Sequence, residues 1–302
     1  MAIARCIDMD QSPPRSAALV VNARSRRGRR TYRQACRLLR QAGIELVHTK
    51  AVRKPEELER EVAHAVASKA EMVIVGGGDG SLSSAVDLFV DTDTVFALLP
   101  LGTANSFARS LGIPLDVPGA VEVIARGRVA PVDLGMIDDD YYANCAAIGI
   151  SPLIAETVPH GLKAWAGRPG YLAWAAVQMA RYKPFTLTVE GDGVRESFCA
   201  LEVRIANGGY HGGTELVDAD VQSGEIVIQA VVGTARAKLL WSWGLSVLGR
   251  EKARGTVREF RGKQFRLATD PPLPISIDGE VLAKTPVTAK VADKAMRMVV
   301  PR

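Results

Sequence analysis

Short apolar, β-branched runs alternate with amphipathic stretches along the first third of the chain. Ala17 to Asn22 (AALVVN) reads as a buried strand ending on a polar residue. A glycine-punctuated loop follows, then an arginine-rich helical stretch over Thr31 to Ala42. Ile44 to Thr49 predicts a second strand, and Pro55 to Ser68 opens with Pro then Glu-Glu, the start signals of a helix. Met72 to Val75 (MVIV) is a third strand running into Gly-Gly-Gly-Asp-Gly-Ser, followed by a helix over Leu82 to Phe89. Val95 to Leu99 is a fourth strand, running into Pro-Leu-Gly-Thr-Ala-Asn-Ser-Phe-Ala-Arg. Strands alternating with helices predict an α/β domain, a parallel sheet with helices on both faces.

After about Asp133 the pattern changes. Short strand-like runs dominate: Phe185 to Glu190, Cys199 to Ala206, Ile226 to Val232, Gln264 to Leu267 and Ile275 to Ile277, separated by Gly, Asp and Pro turns. A β-rich second domain is the natural reading. Two largely apolar, tryptophan-bearing helices interrupt it, Tyr171 to Tyr182 and Ala235 to Val247. Such stripes are ordinarily core, with contact at a membrane interface as the alternative.

A length of 302 residues suits two domains, and 47% hydrophobic with 24% charged residues is the balance of an ordinary folded chain. The longest apolar stretch, Leu239 to Gly249, is about half of the ~20 residues a membrane span needs, so none is predicted. Asp8, Asp10, Pro13 and Pro14 interrupt any signal-peptide core, which gives a cytoplasmic expectation. The cysteines (Cys6, Cys36, Cys145, Cys199) lack a C-x-x-C pair and the histidines (His48, His64, His160, His211) lack ligand spacing, which argues against disulfide or zinc frameworks. The formal net charge is only +5, but Gln11 to Ile44 holds nine arginines and no acidic residue. That cluster is either a solvated face or a docking patch for phosphates, on a nucleotide or on anionic lipid headgroups. Nucleic acid is disfavoured because only one aromatic, Tyr32, falls among these arginines and no recognisable nucleic-acid module is present.

The strongest local signal is Gly76-Gly77-Gly78-Asp79-Gly80-Ser81, set between a buried strand and a helix. Glycines there let a phosphate approach the backbone, and a helix N-terminus offers it unpaired N–H groups. Ser81 replaces the third glycine of a dinucleotide fingerprint, and no Gly-Lys-Ser/Thr follows as in a P-loop. Asp79 adds a carboxylate suited to Mg²⁺, directly or through water; a tight turn with an Asp cap is the plainer reading. The second loop, Pro100 to Arg109, offers Thr103 and Asn105 to a phosphate or as an N-cap. Two such turns at the carboxyl ends of neighbouring parallel strands would face one crevice. Ile277-Asp278-Gly279-Glu280, on spacing alone, is a hairpin turn. Overhanging the crevice, it would offer a carboxylate to accept the proton of an attacking hydroxyl.

In order, Asn22-x-x-Ser25-x-x-Gly28, the two glycine loops, Asp133-Leu-Gly, Asn144, Ile148-Gly149, Asn207-Gly208, Gly212-Gly213, the Ile277–Glu280 turn and Thr285-Pro286 resemble the diacylglycerol kinase catalytic family, specifically soluble bacterial lipid kinases related to sphingosine kinase. The resemblance implies a nucleotide-binding α/β domain over 15–133, joined by 287–302, and a β-sandwich lipid-substrate domain over 134–286, with the active site between them. It implies ATP and Mg²⁺ as cofactors and a lipid such as diacylglycerol as acceptor, phosphorylated at a membrane surface. Asn22, Ser25, Thr49, Gly76, Gly77, Gly78, Gly80, Ser81 and Thr103 would contact ATP, Asp79 would organise Mg²⁺ and Asn105 would touch the acceptor. Glu280 would be the general base, supported by Asp278. An exposed edge of the β-rich half is a route to a homodimer.

The chain departs from the family pattern in places. Ala23 and Arg26 replace the Pro and Gly of the usual Asn-Pro-x-Ser-Gly loop, Ser81 stands where Thr is common, and Ser106 replaces an Asp. Ser223 occupies the position of an aspartate that holds a structural Mg²⁺ in related kinases, so that second site is not predicted, with Asp220 and Glu225 as possible substitutes. Competing readings are a kinase of a soluble acceptor, in the manner of NAD kinase or phosphofructokinase, and a non-catalytic nucleotide- or lipid-binding regulator on the same fold. The NAD kinase elements Asn-Glu and Gly-Ser-Thr-Ala are not found. Diacylglycerol, a sphingoid base, phosphatidylglycerol and a polyprenol all satisfy the sequence as acceptor.

Overall fold

Continuous burial explains the centre of the N-terminal half. In the computed structural model, which describes residues 11–23, 26–150, 152–153, 182–233 and 257–302, the strands β1 (Ser16–Asn22), β3 (Met72–Gly77) and β4 (Val95–Pro100) are buried almost throughout. With β2 (Glu45–Val52) they form a parallel sheet in the order β2-β1-β3-β4. β1, β3 and β4 are covered on both faces, hence their nearly continuous apolar side chains. The helices α1 (Arg26–Gln41), α2 (Pro55–Ala67) and α5 (Val117–Arg126) pack against them, burying Leu39, Leu58, Val62 and Ile124. Between lie two single-turn helices, α3 (Asp79–Ser83) and α4 (Ser106–Ser110).

The second half is antiparallel. Its strands are β5 (Arg128–Ile137), β6 (Asp140–Tyr142), β7 (Cys145–Gly149), β8 (Phe185–Gly191), β9 (Val194–Ala206), β10 (Tyr210–His211), β11 (Thr214–Glu215), β12 (Ile226–Val232), β13 (Val257–Gly262), β14 (Gln264–Asp270), β15 (Pro274–Ile277), β16 (Glu280–Lys284) and β17 (Val287–Val300). The first half of β9 pairs with β8, while its second half lies between β7 and β12. A second core, led by Leu187, Val203, Ile228, Phe265 and Ile275, fills this β-sandwich. β17 crosses between the halves: it pairs with β14, runs antiparallel to β5, and reaches β4 at Met298 opposite Phe96. Met296, Met298, Val299 and Val300 belong to the N-terminal core.

Two expectations change. α1 starts at Arg26 rather than Thr31, passing through Gly28 instead of leaving it in a loop. A Cβ at Gly28 would stand 2.8 Å from the Ala23 Cα, so that glycine is where the helix packs on the loop before it. The helix expected over Leu82 to Phe89 is instead α3 plus a separate 3-10 turn at Val86–Phe89. Ser81, Ser83 and Ser84 are weak helix formers, and the Ser84 hydroxyl donates to the Ser81 carbonyl (3.3 Å), competing with the helical pattern. Apart from Tyr182, buried outside any helix, the expected helices over 171–182 and 235–247 lie outside the described residues.

Candidate functional site

The parallel strands deliver their carboxyl ends to one level. Gly77 lies opposite Pro100, Asn22 lies opposite Val52, and the Leu101 amide donates to the Gly77 carbonyl at 2.8 Å. Above them opens a cleft of about 1010 Å³, lined by Asn22, by Gly28, Thr31 and Gln34 of α1, by Gly77, Gly78 and Pro100 to Thr103, and by Leu115 to Pro118. The two glycine loops touch backbone to backbone at Gly78 and Gly102. With no side chains between them, they leave a surface of peptide groups at the place where open α/β sheets bind ligands.

Of the residues singled out for ATP, Asn22, Gly77, Gly78 and Thr103 line this cleft. Ser81 joins them through Asn22, whose amide donates to the Ser81 hydroxyl at 3.1 Å. Gly80 is exposed on α3 with nothing within 4 Å of where a Cβ would be. Gly76 is buried, wedged against Val21 and Leu101, and serves packing. Thr49 is not brought to the cleft. It pairs with Leu19, three residues before Val52, the β2 residue level with Asn22, and lies about 10 Å below that level at the rise of a strand. Asn105, expected at the acceptor, turns into its own loop: its amide accepts from the Gly102 N–H (2.9 Å) and donates to the Gly102 carbonyl (3.0 Å), at 6% exposure. It braces the loop in a left-handed conformation, φ 48°. Ser25 lies outside the described residues.

The Ile277–Glu280 turn is both a hairpin and a docked element. Asp278 and Gly279 have φ of 45° and 100°, as a two-residue hairpin turn requires. The Asp278 carboxylate accepts from three consecutive amides, Ala143 (3.0 Å), Asn144 (3.3 Å) and Cys145 (3.2 Å). Burial pushes its pKa up to about 6 against the pull of those amides, and the charge of Asp79 adds to the rise. The charge of Asp79 is therefore felt at Asp278 across the two halves. Glu280 follows at the head of β16, exposed and without a hydrogen bond or ion pair among the described residues.

Around this junction are residues whose roles the sequence did not assign. The Asn207 amide donates to the carbonyls of Asp133 (2.9 Å) and Ala143 (2.8 Å). The Asn144 amide accepts from Ser110 (3.2 Å) and donates to the Tyr210 carbonyl. The Gly213 N–H donates to Ser106 (3.1 Å), fastening the β10–β11 hairpin over α4. On that hairpin His211 feels Arg204, Glu202 and Asp79, and burial lowers its pKa. A lone histidine between glycine turns carries no local signal of this placement. Asp133 accepts from the Gly224 and Lys294 amides, both at 2.7 Å, tying β5 to β17. Ser223 closes its own turn, donating to the Asp220 carbonyl (2.8 Å).

Among the described residues no three His, Cys, Asp or Glu side chains gather as a metal cage. Mg²⁺ rarely asks for one, being held by one or two carboxylates plus substrate phosphates and water. Asp79 fits that use. Its Oδ1 takes only a long 3.4 Å contact from the Phe107 amide, and its Oδ2 meets no donor among the described residues. A second hollow, about 780 Å³, lies near the opposite ends of the strands, beside Glu71, Val95 and Arg297. It holds no glycine loop, and parallel sheets place chemistry at the other end. Among the described residues no helix is long and apolar enough to cross a membrane.

Residues 16–137 match the model of the diacylglycerol kinase catalytic domain, and residues 145–300 match that of the YegS C-terminal NAD kinase beta sandwich-like domain. The chain is 28% identical over 274 residues to a probable lipid kinase YegS-like protein of Klebsiella pneumoniae (strain 342), covering 89% of this chain and 91% of that one. It is 28% identical over 290 residues to the protein of the same name from Yersinia enterocolitica, covering 94% and 96%. A solved diacylglycerol kinase structure from Bacillus anthracis str. Sterne shares the fold, with a TM-score of 0.75 at 19% identity over 95% of this chain and 97% of that one.

Proposed function

This chain belongs to the diacylglycerol kinase catalytic family, and on that premise we propose that it transfers the γ-phosphate of ATP to the hydroxyl of a lipid such as diacylglycerol, at a membrane surface. One observation carries the reading. The cleft formed by the two glycine loops runs up to Gly78, next to Asp79, and the charge of Asp79 reaches Asp278 of the other half, whose turn is docked on the 143–145 amides and carries Glu280 two residues on.

The chain's own residues supply position and proton transfer. The peptide surface at Gly77, Gly78 and Gly102 takes the phosphates, and Thr103 and Asn22 offer polar groups beside them. Asp79 would hold Mg²⁺, which when bound draws charge from the phosphates. Glu280 accepts the proton of the acceptor hydroxyl as its oxygen bonds to the γ-phosphorus and the bond to ADP breaks, while Asp278 fixes the turn that aims it.

The test is transfer of labelled γ-phosphate from Mg-ATP into a mixed lipid extract separated by chromatography, beside a no-lipid control and an Asp79→Asn control. A labelled lipid absent from both controls supports the reading and identifies the acceptor. Label only in a water-soluble product would move the acceptor to a soluble metabolite. No transfer to any acceptor, with ATP binding intact, would leave a binding regulator.

A further inference from the structure

Among the described residues three large apolar side chains are exposed: Val47 on β2, and Val281 and Leu282 on β16, the last two at 38% and 57%. Val281 and Leu282 are consecutive and directly follow Glu280. β16 pairs with β15 alone among the described strands, so it is an edge. Neighbouring residues of a strand point to opposite faces, so an apolar side chain projects from each side of this edge. Exposed edges are commonly protected by charge along their length, yet the charges of β16 stand only at its ends, Glu280 and Lys284.

Resting on the lipid-kinase reading above, we propose that the Val281–Leu282 edge is the surface that seats in the interfacial layer of a lipid bilayer. Leu282 lies about 7 Å along the strand from Glu280. Interfacial apolar groups sit about 5 to 10 Å into the boundary between headgroups and acyl chains. With Leu282 at that depth, Glu280 stands at headgroup level, where the acceptor hydroxyl is. Lys284, at the far end of the strand, carries a side chain long enough to run back along the apolar surface toward the headgroups, where its charge suits anionic ones. A second copy of the chain is the poorer occupant. Two apolar side chains on a five-residue strand cover little of the roughly 1,200 Å² a specific protein interface buries, and the irregular register between Ile275 and Ser276 departs from a flat edge ready for pairing.

The experiment sediments the full chain with sucrose-loaded vesicles of phosphatidylcholine and phosphatidylglycerol, comparing it with Val281→Thr/Leu282→Thr and with Val47→Thr. Threonine keeps the strand preference of these exposed positions. The expected result is co-sedimentation of the native chain, a partition coefficient lowered at least about tenfold in the double variant, and no change for Val47→Thr. Phosphate transfer to a short-chain acceptor dispersed as monomers is measured in parallel and should match between native chain and double variant. Loss of transfer in both, with the vesicle result intact, would count against the kinase reading and not against the docking edge. The proposal is overturned if the native chain stays in the supernatant, if the double variant binds vesicles like the native chain, or if sedimentation velocity shows a native dimer that the double variant dissolves without losing vesicle binding.

Discussion

Gly78 and Gly102 meet across the mouth of the cleft so closely that a methyl on Gly102 would stand 2.5 Å from the Gly78 Cα, and one on Gly78 would stand 3.0 Å from the Gly102 Cα. Neither contact can be relieved by turning a side chain, because backbone lies on both sides. Gly102→Ala should therefore push the loops apart, destabilising the chain by about 1 to 3 kcal/mol and lowering nucleotide affinity at least about tenfold, a shift of about 1.4 kcal/mol. Urea unfolding and a fluorescent-nucleotide titration would read the two effects separately. Normal nucleotide binding in Gly102→Ala would show that the phosphates do not use this surface.

Gly80 makes the opposite prediction for stability. It lies within α3 with open space where a Cβ would go, so Gly80→Ala should raise stability by about 0.5 to 1 kcal/mol through helix propensity. If that space belongs to the phosphates, the same variant loses ATP affinity. A variant that melts higher and binds ATP worse is a signature that a packing role cannot produce.

Glu280 is exposed and unbonded, so Glu280→Gln should leave the melting temperature almost unchanged. As general base its loss should lower kcat by about 10² to 10⁴ with little effect on the KM for ATP. Turnover within threefold of the native rate would remove Glu280 from the chemistry.

Asp278 gives a pH prediction. Its pKa rises from the ordinary 3.8 to about 6 on folding, through burial first and with the charge of Asp79 adding to the rise. The folded chain thus holds this proton more tightly than the unfolded one, and the resulting stabilisation is full below about pH 4 and lost as pH rises through about 6. Asp278→Asn removes that dependence and also the carboxylate that three amides share. The variant's deficit in unfolding free energy should therefore be larger at pH 4 than at pH 7, by about 1 to 3 kcal/mol. Equal deficits at both values would mean that Asp278 titrates normally.

What could be read in the sequence was what local pattern encodes. β1, β3 and β4 are almost unbroken apolar runs ending in Asn22 or in glycine and proline, and they were legible together with the loops that follow them. The position of Thr49 was not, because β2 is half-exposed and polar, and a weakly patterned strand does not announce its register. Gly28 could be read as a loop or as a close approach, and only the proximity of Ala23 decides it. The turn at Asp278 was legible, its docking was not: the amides that its carboxylate binds lie as much as 135 residues away in the chain. The loop-bracing of Asn105 and the burial of His211 within reach of the Asp79 charge likewise depend on partners that no spacing reveals.

β17 ties the order of events in synthesis to the architecture. β4 ends at Pro100, and its neighbour on the side away from β3 begins at Val287, after every other strand of the antiparallel half. On the ribosome, the strands carrying both glycine loops emerge early, yet the outer edge of β4 and the Met296–Val300 part of the core stay unfilled until translation has passed them. The parallel-sheet half therefore completes its core only after the antiparallel half has been made. Its last stitch comes from a segment that must first leave the tunnel behind the whole β-sandwich, so a chain that stops before Val287 leaves the outer edge of β4 without its partner.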